Sequence, residues 1–108
     1  MAEEAPKRQA ARIPLSIPIR VTGQDSANKT FTENMRTGNV SKIGAFLITD
    51  RSLPVGTVLK IESTNKKFTG EEEVLAKVIS IVTKKKSAGI GIKIIQGQDT
   101  WKQLITSL

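Results

Sequence analysis

The sequence predicts a mainly β protein: a small antiparallel six-stranded Greek-key-like β-barrel with a C-terminal α-helix. Three observations carry that expectation. Short apolar segments recur along the chain with period-two alternation, turn-forming clusters separate them, and no helical pattern falls between them. Short strands without intervening helices favour a barrel or sandwich over a parallel sheet. A chain of 108 residues is long enough for one hydrophobic core and too short for two, so a single domain is expected.

The elements follow in order. Residues 1–13 mix Ala, Glu, Lys and Arg without apolar periodicity and read as a flexible arm, with residues 14–108 forming the barrel and its helix. Leu15, Ile17, Ile19 and Val21 alternate with Ser16, Pro18, Arg20 and Thr22, the pattern of a half-buried strand. Pro18 has no backbone donor, so its nitrogen must stand off the ladder at an edge or a bulge. Residues 23–28, GQDSAN, form a turn cluster, and a more polar strand through Thr30, Phe31, Thr32 and Met35 is expected to end near Gly38.

Residues 44–49, GAFLIT, read as a short apolar strand, and residues 50–56 as a connection. Strand propensity resumes over residues 57–62 with Leu59 and Ile61 inward, and a turn is expected around residues 65–70. Residues 74–82 and 89–95 read as two strands of a hairpin, with Ile90, Ile92 and Ile94 sharing one face. Trp101, Leu104, Ile105 and Leu108 lie at helical spacing, so a short amphipathic helix is predicted, with Asp99 or Thr100 as its cap and Trp101 in the core.

Composition narrows the chemistry. The chain has no Cys and no His, which removes disulfides, thiolate sites, the commonest zinc ligand and the commonest general base. No nucleophile–base pair, metal-ligand cluster or P-loop is legible, so neither an enzyme nor a metal cofactor is expected. The first dozen residues hold no signal-peptide run and no segment reaches the length of a membrane span, so the expected location is cytoplasmic. A formal charge of +7 favours encounter with anionic, phosphate-bearing partners, and it also serves solubility.

Two short patterns carry binding chemistry. Arg8 and Arg12 stand four apart in the arm, and Asn39, Ser41 and Gly44 fall within NVSKIG, residues 39–44. A guanidinium matches phosphate oxygens or the O6/N7 edge of guanine with a planar fork of donors, and its flat face stacks on a purine. In an extended segment Asn39 and Ser41 share one face and both can hydrogen-bond a base edge. Gly44 tolerates positive φ and admits close approach to the backbone. Lys7 and Lys42 adjoin the two patterns and form a second tier of candidate ligand-binding residues. The run from Lys84 to Lys86 reads as solvated charge at a hairpin tip.

Taken together the patterns closely resemble the PilZ domain family, whose signature is an R-x-x-x-R arm followed, after one hairpin, by [D/N]-x-S-x-x-G. The resemblance extends through LPVGT, residues 53–57, and GIGIKI, residues 89–94, which look like the family's later segments. Ile43 stands where many members have the first glycine of a pair, and Ile94 where an aromatic is usual.

The resemblance implies a receptor for the bacterial second messenger cyclic di-GMP, of the free-standing single-domain type. In that reading Arg8 and Arg12 bind phosphate and guanine groups, and Asn39, Ser41 and Gly44 shape the guanine-binding surface. Ligand binding changes the conformation and passes the signal to an unidentified partner protein in motility, pilus or polysaccharide machinery.

Two other functions compete. One is a PilZ-like interaction module that binds no nucleotide, against which the two arginines argue. The other is a single-stranded nucleic-acid-binding barrel. It is disfavoured because three Phe, one Trp and no Tyr leave few rings for bases to stack on.

Overall fold

The computed structural model describes residues 13–51, 53–64, 73–83 and 88–106, and the structural statements below concern these. The expected turn at residues 65–70, the Lys84 to Lys86 run and Leu108 lie outside them. Six strands form a closed antiparallel barrel: β1 (Pro18–Gln24), β2 (Thr30–Ser41), β3 (Gly44–Ile48), β4 (Val58–Ser63), β5 (Val74–Val82) and β6 (Gly89–Gln96). One helix, α1 (Gln98–Thr106), follows. Around the barrel the order is β1-β2-β3-β6-β5-β4, with β4 paired back to β1. Strands β1 to β3 are sequential neighbours, and β4 returns by the longer connection to lie beside β1, which is Greek-key order.

Alternation along each strand fills the interior. Ile17, Ile19, Val21, Leu59, Ile61, Val74, Ala76, Val78, Ile90, Ile92 and Ile94 are all buried in one core, joined by Trp101 and Leu104 from α1. The connection from β3 to β4 crosses one end of the barrel and inserts Leu53, which is buried there. Arg51 secures that crossing: its Nε and Nη2 donate to Glu33 Oε1 at 2.9 and 2.7 Å, and its guanidinium lies 4.2 Å from the centre of the Phe31 ring. The β1–β2 turn is held by Asp25, whose Oδ1 accepts from the N–H groups of Ala27 and Lys29 at 2.9 and 3.1 Å. The bonds from Lys29 and Ala27 hold the Asp25 carboxyl below its usual pKa.

Three boundaries differ from the sequence reading. Strand β1 begins at Pro18 rather than Leu15, and the proline takes the first position of the strand, where a missing donor is tolerated. Strand β2 runs on to Ser41 instead of ending near Gly38, because Gly38 is the extra residue of a β-bulge rather than a terminator. Helix α1 begins at Gln98, so neither Asp99 nor Thr100 caps it. Gly97, at φ 77°, turns the chain directly out of β6, and its carbonyl accepts the first helical bond from Trp101 N–H at 2.9 Å.

The bulge is matched by a tether. Thr37 is fully buried, and its Oγ1 accepts from Ile17 N–H at 2.9 Å and donates to Leu15 C=O, while Thr37 N–H donates to Ile17 C=O at 3.1 Å. Four residues earlier in the chain, Ile13 exchanges two backbone bonds with Val40, at 2.8 and 2.9 Å. The segment from Ile13 to Ile17 is thereby laid along the far half of β2. Thr37→Val keeps the side-chain volume but strands a buried donor and a buried acceptor. It is expected to cost about 2–3 kcal/mol, read as a lower urea midpoint at unchanged slope.

Candidate functional site

The site is built on the outer face of the barrel at the far end of β2. Up to Thr37 the odd residues Phe31, Met35 and Thr37 are buried; beyond the bulge the apolar core residue is Val40, while Ser41 is buried under the hairpin turn. One extra residue at Gly38 has exchanged the faces. Asn39 and Ser41, which unbroken alternation from Thr37 would send into the core, therefore share the outward face with their cross-strand partners Phe46 and Gly44. The expectation that the two polar residues lie on one face agrees with this register, and the bulge is its physical cause.

Each candidate residue occupies a definite place. Asn39 is half-buried, and Ser41 is buried beneath the hairpin turn. Ser41 Oγ accepts from Ile43 N–H at 3.2 Å and donates to Gly44 C=O at 3.5 Å, so the hydroxyl braces the Lys42–Ile43 turn. Lys42 is exposed at the tip.

Gly44 makes no use of its tolerance of positive φ. A Cβ there would be driven into the carbonyl oxygen of Ile92, so glycine is required by the close approach of β6. Ile43, at the position where a glycine is common in the resembling family, has ordinary negative φ and gives its carbonyl to Ile94 N–H at 2.8 Å. Lys7, Arg8 and Arg12 lie outside the described residues.

Two contacts escaped the sequence reading. Trp101 is buried as expected, but its Nε1–H also donates to Ser41 C=O at 2.8 Å, which ties α1 to the strand end that carries the motif. A buried indole needs an acceptor, and that requirement was the available signal. The second is the Ile13–Val40 pairing, which lays the end of the arm between Asn39 and Ser41. It had no signal, because Ile13 and Val40 belong to no shared pattern. Among the described residues no cluster of three His, Cys, Asp or Glu is placed to hold a metal ion.

The end of β2 thus presents a polar hairpin face on the outside of a closed barrel. The chain belongs to the PilZ domain family, which matches it over residues 6–108. That family is one of cyclic di-GMP-binding receptors in general. Among solved structures the chain is similar to the PilZ domain of CeSA from a cellulose-synthesizing bacterium. The TM-score is 0.61 at 20% identity, covering 90% of this chain and 96% of that one, which is a likeness of fold. No curated protein matches. No helix among the described residues is long and apolar enough to cross a membrane.

Two substitutions test this construction. Gly44→Ala forces a methyl group against β6 and is expected to destabilise the fold by about 2–3 kcal/mol, measured by urea denaturation. Trp101→Phe leaves Ser41 C=O without its donor and removes part of a packed side chain. A loss of about 2–3 kcal/mol is expected, followed by far-UV circular dichroism because the chain's one tryptophan is gone.

Proposed function

We propose that this chain is a cytoplasmic cyclic di-GMP receptor, in which Arg8 and Arg12 close over a ligand seated on the Asn39, Ser41 and Gly44 face of the barrel. The observation that carries the reading is the pairing of Ile13 with Val40. Val40 lies between Asn39 and Ser41, and Ile13 is the residue that follows Arg12 in the sequence. That adjacency supports an arginine pattern acting together with the polar pair.

The chemistry of the groups fits the ligand. Arginine forks engage phosphodiester oxygens and the guanine O6/N7 edge, and an amide side chain such as that of Asn39 is of the type that recognises a base edge. Ser41 contributes chiefly by bracing the turn, since its hydroxyl already serves Ile43 and Gly44. Gly44 contributes by letting β6 close against the hairpin. Lys7 and Lys42 add attraction for phosphate.

Closing the arm over the ligand lowers the affinity by the cost of ordering and alters the surface offered to a partner protein, which makes the module a sensor. No group in this scheme performs a reaction.

Isothermal titration calorimetry with cyclic di-GMP, on wild type, Arg8→Ala, Arg12→Ala and Asn39→Ala, tests the reading. Wild-type binding is expected in the micromolar range or tighter, on the order of 8 kcal/mol. Each arginine variant is expected to weaken it at least about tenfold. A folded wild type that gives no heat and no shift in thermal midpoint with the dinucleotide sinks the receptor reading and leaves an interaction module of the same fold.

A further inference from the structure

The outward face of the β2–β3 hairpin carries an aromatic ring beside its polar pair. Phe46 is the cross-strand partner of Asn39 and shares its outward direction. Side chains so paired have Cβ atoms about 5 Å apart. Of the described aromatic residues, Phe31 and Trp101 are buried in the core, whereas Phe46 is half-buried on the outside of the barrel.

Glycine makes the space in which that ring lies. Phe46 Cδ2 is 3.2 Å from the place a Cβ on Gly38 would take, and Phe46 Cζ is 2.5 Å from the place of a Cβ on Gly89. Gly38 belongs to β2 and Gly89 to β6, the strands on either side of β3. A side chain at residue 89 would displace the ring, and one at residue 38 would crowd it. Directly opposite Phe46 on β6 stands a further glycine, Gly91. The bulge residue Gly38 therefore has two effects: it turns Asn39 outward, and it clears the sheet for the ring next to Asn39.

A nucleobase has a flat π-face and a hydrogen-bonding edge. An aromatic side chain takes the first and an amide the second. Phe46 and Asn39 place one of each on adjacent strands, at a separation that a purine spans. A single platform serves one base, which suits a dinucleotide and not an extended strand.

We propose that Phe46 is the stacking platform for one guanine base of the dinucleotide, holding it where the Asn39 side chain meets its edge. The inference rests on the receptor reading and deepens it with a residue outside both motifs.

The test combines calorimetric titration of cyclic di-GMP into wild type, Phe46→Leu and Phe46→Tyr with two-dimensional NMR of the wild-type complex. Phe46→Leu keeps an apolar side chain but removes the ring, and it is expected to weaken binding about tenfold. Phe46→Tyr keeps the ring and should bind within about threefold of wild type. In the wild-type complex, nuclear Overhauser cross-peaks are expected between guanine H8 and the Phe46 ring protons.

A ring that merely covered Gly38 and Gly89 would lower the urea midpoint of Phe46→Leu and leave the affinity of the folded variant unchanged. Either an affinity of Phe46→Leu within twofold of wild type or the absence of those cross-peaks overturns this inference and leaves the receptor reading standing. Absence of wild-type binding overturns the receptor reading and this inference with it.

Discussion

A single buried hydroxyl, Thr37 Oγ1, supports the arrangement on which the candidate site depends. The bulge at Gly38 turns Asn39 and Ser41 outward, but a bulge also breaks the ladder and leaves backbone groups on the neighbouring segment to be satisfied. Thr37 supplies the missing partners, accepting from Ile17 N–H and donating to Leu15 C=O inside the core. With that junction in place the chain reaches back along β2 to pair Ile13 with Val40. An apolar residue at 37 would fill the same space and leave the bulge unsupported. The polar face and the approach of the arm are thus two results of one local geometry.

The pattern N-x-S-x-x-G performs a structural task of its own. Ser41 satisfies the N–H of Ile43 across a two-residue turn whose residues both avoid positive φ, and Gly44 leaves room for the β6 backbone. Two-residue hairpins usually rely on positive φ to match the strand twist, so a turn without it gains from the side-chain brace. Substitutions at Ser41 or Gly44 therefore mix folding with binding.

The strands were legible because a half-buried strand writes its inward face into every second residue. Leu15, Ile17, Ile19 and Val21, and again Ile90, Ile92 and Ile94, announce the faces that the barrel buries, although Leu15 lies short of the strand proper. The bulge was not legible, since Gly38 reads equally well as an ending and the parity change rests on Val40 alone. The helix start was misplaced for a related reason: Asp99 and Thr100 have the side chains of caps, but the deciding property was the positive φ at Gly97, a consequence of how β6 leaves the barrel. Of the candidate site, the polar pair and its shared face were readable. The link from Trp101 to Ser41 and the close approach of β6 to Gly44 arise from register between distant segments, which no local pattern encodes.

The same long-range register makes the strand end that carries the motif rigid. Ser41 is held from its side chain by the hairpin turn and from its carbonyl by Trp101, so the end of β2 is fixed to the helix that completes the core. A face braced from behind in this way is preorganised, the property that spares a binding surface the cost of rearrangement. On the other side of the strand, Ile13 exchanges two backbone bonds with Val40, so the residue between Asn39 and Ser41 is held by the segment that precedes β1. The polar pair is thus fixed from the turn, from the helix and from the preceding segment at once, by contacts that no single stretch of sequence contains.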